Sequence, residues 1–171
     1  STLAFGKAEE PSPQLRDIVL ASLAEEVAEG EGLAHDSAVT CLIEVPENLV
    51  IRADYEQLFR VLSNLLRNAR QAIEATGKDG SIEISAGETA QDWWIRVGDT
   101  GPGLPERARD HLFEAFQGGA RKGGIGLGLA IAHELIRGHG GRLDLARSDS
   151  DGTEFVIHLP KAIARSSTDA P

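Results

Sequence analysis

Asn64-Leu65-Leu66-Arg67-Asn68-Ala69 lies in the middle of the clearest helical pattern in the chain. At about 100° per residue, Gln57, Arg60, Asn64, Asn68 and Gln71 fall on one stripe, with Leu58, Val61, Leu65, Ala69 and Ala72 beside it. The stripe is polar but mostly uncharged. A solvated face usually carries Lys and Glu, and each mid-helix Asn costs about 0.7 kcal/mol against Ala. Two readings follow: a surface that tolerates Asn, or a wall on which Asn68 presents an amide oxygen to a hard cation such as Mg²⁺. Asp54, with Gln57 three residues on, predicts the N-terminal cap of this helix, and Gly77 follows its expected end at Thr76.

Outward from that helix the pattern predicts further elements. Upstream, the spacing of Leu15, Ile18, Val19, Leu23 and Val27 predicts a helix over 15–29, broken by Gly30 and Gly32. Val39–Val45 and Leu49–Ala53 read as strands separated by Pro46-Glu47-Asn48. Downstream, Ser81–Ala86 and Trp93–Gly98 read as strands. They are followed by a short helix over 105–116, a glycine-rich loop over 117–124 and a helix over 126–137. Arg142–Ala146 and Thr153–Leu159 form a predicted hairpin around Ser148–Gly152. Residues 1–13 read as the end of an upstream helix running into a linker, 14–160 as the domain proper, and 161–171 as a loose tail.

The composition narrows the function classes. The 171 residues, 41% of them hydrophobic, suit one domain with a sizeable core. A formal charge of -10, from 27 acidic and 17 basic residues, repels phosphate backbones and argues against a nucleic-acid partner. Cys41 is the single cysteine, which fits a reducing, cytoplasmic setting. No stretch approaches the roughly 20 apolar residues of a membrane span. The absence of Met, even at position 1, leads us to expect a piece of a longer protein.

Two glycine-rich stretches complete the candidate site. Asp99-Thr100-Gly101-Pro102-Gly103 follows a strand, where it serves either as a plain turn or as a place for Asp99 to accept a hydrogen bond from an adenine amino group. Gly123-Gly124-Ile125-Gly126-Leu127-Gly128-Leu129 runs into an apolar helix. It reads either as a flexible loop with a tightly packed helix start or as amides and a helix dipole aimed at a phosphate chain. Arg121 and Lys122 lie in the same loop. Neither a P-loop nor the dinucleotide Gly-x-Gly-x-x-Gly is present.

Taken in order, these stretches resemble the boxes of the bacterial sensor histidine kinase catalytic and ATP-binding domain, a branch of the GHKL ATPase superfamily. Asn64–Ala69 resembles the N box, Asp99–Gly103 the G1 box, Leu112-Phe113-Glu114-Ala115-Phe116 the F box, Gly124–Leu129 the G2 box, and Gly152-Thr153 a short element after the hairpin. The resemblance covers about Leu15 to Pro160. It implies an α+β fold: a two-layer α/β sandwich in which a mixed, mostly antiparallel sheet packs under about three helices, with a glycine-rich ATP lid over 117–123. It implies ATP and Mg²⁺ as cofactors, with Asn68 on the metal, Asp99 on adenine and Gly126–Leu129 at the phosphates. Ala72, Gly101, Gly103, Leu104, Lys122, Gly124, Gly128 and Thr153 complete the implied nucleotide contacts, and Asn64, Asn68 and Lys122 the implied catalytic set. Ile125 stands where the family usually has Thr or Ser, Gln71 where some relatives carry Lys, and the lid is short.

Related gyrase, mismatch-repair and chaperone ATPases place a Glu one turn before the metal-binding Asn, where this chain has Asn64. An amide cannot act as general base for water at neutral pH. The expected reaction is therefore γ-phosphoryl transfer to a protein histidine. The resemblance places that histidine upstream, in a helical hairpin dimerisation domain that also meets a response regulator, so this piece is expected to be monomeric and its parent homodimeric. His133 and His139 read as structural, and His35, His111 and His158 have no partners arranged for chemistry. Two alternatives share the fold: a nucleotide-binding adaptor without phosphotransfer, and a protein-serine kinase of the anti-sigma-factor type.

Overall fold

The computed structural model describes residues 10–114 and 125–162, the side chains of 125–127 excepted. Its elements run β1 (Arg16–Val19), α1 (Leu20–Gly30), a 3₁₀ turn (Leu33–His35), β2 (Val39–Glu44), β3 (Val50–Ala53), α2 (Tyr55–Glu74), β4 (Gly80–Glu88) and β5 (Asp92–Asp99). Then follow α3 (Glu106–Asp110), α4 (Ile125–Gly138), β6 (Arg142–Asp149) and β7 (Gly152–Pro160). Five strands form one sheet in the order β2-β4-β5-β7-β6. Only β2 and β4 pair in parallel, and the remaining pairs are antiparallel. A mixed, mostly antiparallel sheet under helices is the expected α+β sandwich.

Alternation along the strands determines which face is covered. Ile82 and Ile84 of β4, Trp93, Ile95 and Val97 of β5, and Phe155, Ile157 and Leu159 of β7 are all buried. Their neighbours Glu83 and Arg96 are exposed. Onto the covered face α2 brings Leu58, Val61, Leu62, Leu65, Leu66 and Ala69, and α4 brings Leu129, Ala132, Leu135 and Ile136. Among the described residues no helix is long and apolar enough to cross a membrane.

The predicted first helix needs correction. Residues 16–19 are a strand, pairing antiparallel with β3 from Arg16↔Ala53 to Val19↔Val50, and the helix begins only at Leu20. Leu15, Ile18 and Val19 fit either period, and the distant partner strand decides between them. It buries Ile18 while Asp17 and Val19 face out, and Arg52 reaches Asp17 across the ribbon at 3.1 Å. The short helix predicted over 105–116 is also shorter, ending at Asp110 before a turn over 111–114. Ala115 and Phe116, like the lid residues 117–123, lie outside the described residues.

The α2 cap forms as expected, with Asp54 Oδ1 accepting from the Gln57 amide at 3.0 Å. The reciprocal half of a capping box does not. Gln57 Nε2 donates instead to the Pro11 carbonyl at 2.9 Å, and the Asp54 amide donates to His139 Nε2 at 3.0 Å. Arg60 pairs with Glu10 at 3.1 Å, so the N-terminal half of the polar stripe holds the segment that leads into the domain.

Candidate functional site

The second half of the α2 stripe faces the end of β5 and the start of α4. There Asn68, Ala72, Asp99, Gly103, Leu104, Leu129 and Thr153, all named from the sequence, line one narrow cleft of about 40 Å³, together with Leu65, Ala69, Val97 and Phe155. A space of that size holds one or two waters, so a nucleotide must widen it or lie partly outside. A broader hollow of about 610 Å³ flanks the sheet near Trp94, Arg96, Val156 and His158. It contains none of the candidate residues, and the narrow cleft is the better site because the polar groups converge there.

Asp99 closes β5 opposite Thr153 of β7. Its Oδ1 accepts from the Gly101 amide at 2.8 Å. Burial pushes its carboxyl above the usual carboxylate range, against the pull of hydrogen bonds from the Gly101 and Thr153 backbones. The turn beyond it is closely packed against the β6–β7 hairpin. Gly103 has φ +88°, and a Cβ there would strike the Asp149 carbonyl; Gly152 has φ +148°, and a Cβ there would strike the Asp99 carbonyl. The Leu104 amide donates to Ser148 Oγ at 2.7 Å, and Ser148 Oγ lies 3.2 Å from Thr153 Oγ1. The glycine of the Gly152-Thr153 element thus seats Asp99.

The two amides of α2 that remain on the stripe each leave one buried atom without a partner among the described residues. Asn68 Nδ2 and Gln71 Oε1 are buried without a hydrogen bond. Buried orphan polar atoms are costly, and two of them one turn apart beside a cleft mark a place where a polar ligand completes the structure. Exchanging the oxygen and nitrogen of the Asn68 amide would set its oxygen where the orphan nitrogen lies, the arrangement that a cation requires. Gln71, which the sequence places on the stripe and where some relatives carry Lys, is not among the nucleotide contacts that the resemblance implies, and its orphaned oxygen adds it to the polar groups near the cleft.

Asn64 differs from these two because both ends of its amide are engaged. Nδ2 donates to the Gly128 carbonyl in α4 at 3.2 Å, and Oδ1 accepts from Arg67 Nη1 at 3.3 Å. Neither Asn64 nor Gly128 lines the cleft; they join its two helical walls. The backbones of Gly126 and Leu127 lie in the first turn of α4, and Lys122 and Gly124 lie outside the described residues, with Arg121. Gly101 contacts the site through Asp99 and stands beside Ala72.

Two aromatic contacts hold α4 from behind. Phe113 of the F box stacks on His133, centroids 4.6 Å apart and planes at 6°, and is tilted against Phe155 at 6.5 Å. Burial pushes His133 toward its neutral form, and its stack on Phe113 accounts for it as a packing residue of α4. His139 is buried at the end of α4, its Nδ1 2.9 Å from the Leu135 carbonyl and its Nε2 accepting from Asp54. A carbonyl can only accept, so the ring proton sits on Nδ1. The sequence marks His139 as part of the turn but not as the link from the end of α4 to the cap of α2.

Residues 53–163 match the family profile described as histidine kinase-, DNA gyrase B-, and HSP90-like ATPase. The C4-dicarboxylate transport sensor protein DctB of Rhizobium meliloti (strain 1021) is 37% identical over 117 residues, which are 68% of this chain and 18% of that protein. The chain therefore spans about a fifth of that relative's length. The catalytic domain of histidine kinase ThkA, in a nucleotide-free form, superposes with a TM-score of 0.74 at 28% identity, covering 86% of this chain and 96% of that one. Full-length ShkA in complex with AMPPNP superposes with a TM-score of 0.73 at 30% identity, covering 91% of this chain and 32% of that one. With the cleft between α2, β5 and α4 in the same chain as these matches, this protein belongs to the histidine kinase-, DNA gyrase B- and HSP90-like ATPase family, in its sensor histidine kinase branch.

Proposed function

We propose that this chain binds Mg·ATP in the cleft between α2, β5 and α4 and serves transfer of the γ-phosphoryl group to a histidine in a separate, upstream dimerisation domain. The observation that carries this reading is the convergence of Asp99, Asn68 with its buried orphan nitrogen, and the start of α4 on one cleft. The Asp99 carboxylate accepts from the Gly101 and Thr153 backbones, and its two oxygens have acceptor capacity beyond these for an adenine amino group. Asn68 is the residue that would hold magnesium, which supplies charge neutralisation at the phosphates when bound. The amides of the first α4 turn, Gly126–Leu129, meet the phosphate chain, with Gly124 and Lys122, which precede that turn in the sequence.

An amide at position 64 favours transfer over hydrolysis. Asn64 has no useful basicity, and both ends of its amide are already hydrogen-bonded within the protein. In the parent protein the acceptor histidine lies in a dimerisation domain that passes the phosphoryl group to a response regulator, in the cytoplasm and as a homodimer.

Calorimetric titration with ATP, with and without Mg²⁺, tests the site. Wild-type binding should gain from Mg²⁺, and Asn68→Ala should lose that gain while keeping metal-free affinity. Incubation with a supplied acceptor domain should then yield an acid-labile phosphohistidine. Steady ATP hydrolysis by the chain alone, or no ATP binding by the folded domain, would refute the proposal.

A further inference from the structure

The hydrogen-bonded groups between α1 and α4 have a direction. Arg67 is gripped by Glu31 at the end of α1, with Nη2 to Oε2 at 2.9 Å and Nε to Oε1 at 3.4 Å. Glu31 is itself held in place, since the Arg70 guanidinium donates to its carbonyl and to Asp36 Oδ2 at 3.0 Å. The free edge of Arg67 donates to Asn64 Oδ1 at 3.3 Å, and Asn64 Nδ2 then donates to the Gly128 carbonyl at 3.2 Å. Arg is only a donor and a carbonyl only an acceptor. With one on each side, the Asn64 amide has a single orientation that satisfies both, whereas the neighbouring Asn68 amide has no such guide.

We infer that Arg67 is a positioning residue for the phosphate chain, acting through Asn64: clamped by Glu31, it locks the Asn64 amide in the orientation that docks the first turn of α4 onto α2. The inference rests on the reading that this turn meets the phosphates. Arg67 touches no nucleotide in this account. Losing it leaves the Asn64 oxygen without its donor, so the side chain is free to swing toward solvent and release the Gly128 carbonyl, and the turn then loosens. Groups at the Asp99 end of the cleft are unaffected, so the consequence is selective for ligands that carry phosphates.

The test compares ATP, ADP and adenosine by calorimetry, alongside hydrogen exchange of α4 amides 129–132, for Arg67→Ala, Arg67→Lys, Asn64→Ala and the double Arg67→Ala/Asn64→Ala. One lost hydrogen bond corresponds to about threefold to tenfold weaker ATP and ADP binding, with adenosine within about twofold. Arg67→Ala should also speed exchange in the first α4 turn, Arg67→Lys should restore part of both effects, and Arg67→Ala should add nothing once Asn64 is Ala. The exchanged pair Glu31→Arg/Arg67→Glu rebuilds an ion pair but removes the donor to Asn64, so it should recover thermal stability without recovering phosphate discrimination. Equal losses for adenosine and ATP, an Arg67→Ala effect that survives in full without Asn64, or unchanged exchange would overturn the inference. If the wild-type chain binds no ATP, the nucleotide reading falls instead, and the exchange data alone decide whether the clamp exists.

Discussion

Asp99→Asn separates the cost of Asp99 to the fold from its value to the site. A carboxylate offers two acceptor oxygens with several lone pairs, so beside the Gly101 amide at 2.8 Å and the Thr153 backbone it keeps acceptor capacity for the ligand. An amide of the same shape offers one oxygen and one NH₂ group, so a donor must face either the Gly101 amide or the adenine amino group. Losing a hydrogen bond to a charged group costs about 1.5–3 kcal/mol, which is a drop in ATP affinity of roughly 10- to 160-fold. Stability should move the other way or not at all. Burial holds the Asp99 carboxyl above its ordinary value of 3.8, so the empty folded state retains a proton that the unfolded chain has released. Stability contributed by this group is then present at low pH and declines as pH rises from the unfolded value through the raised folded one. The neutral variant should lack that decline and unfold no lower than wild type at pH 7. By the same shift, wild-type ATP affinity should fall on acidification at a higher pH than for an ordinary carboxylate. Calorimetry across pH, with thermal unfolding of the same samples, reads both. Unchanged ATP affinity in a folded Asp99→Asn variant would remove the residue from the adenine site.

Other expectations follow from single contacts. Gly152→Ala forces a Cβ against the Asp99 carbonyl at an unfavourable φ and should lower unfolding free energy by about 1–3 kcal/mol, read in denaturant melts. His139→Ala strips the Asp54 amide of its acceptor and should cost about 1–3 kcal/mol, with faster exchange at both the end of α4 and the start of α2. Gln57→Ala releases the Pro11 carbonyl and should raise proteolysis around residues 10–14 without changing ATP affinity, since that contact lies about 11 residues, or roughly 16 Å, along α2 from Asn68.

Features that depend on near neighbours were readable in the chain. The Asp54 cap, the Gly77 stop, the stripe along α2 and the alternation of β4, β5 and β7 rest on contacts within a turn or on a face repeated every two residues. The order of the boxes was enough to name the family, because each box is a short run whose backbone needs are local. What escaped was long-range pairing. Residues 16–19 carry apolar spacing that suits a helix, and only β3, about 35 positions on, makes them a strand. The Gln57 side chain, which the sequence assigns to a capping box, goes to the Pro11 carbonyl 46 residues away, and the amide it leaves finds His139 at a separation of 85. The Glu31–Arg67–Asn64–Gly128 chain joins three helices across separations of 36 and 64 residues. Side-chain donors and acceptors carry no mark of their partner in the sequence. Tertiary packing assigns it, because a buried polar group must find an acceptor or donor wherever the fold brings one within reach.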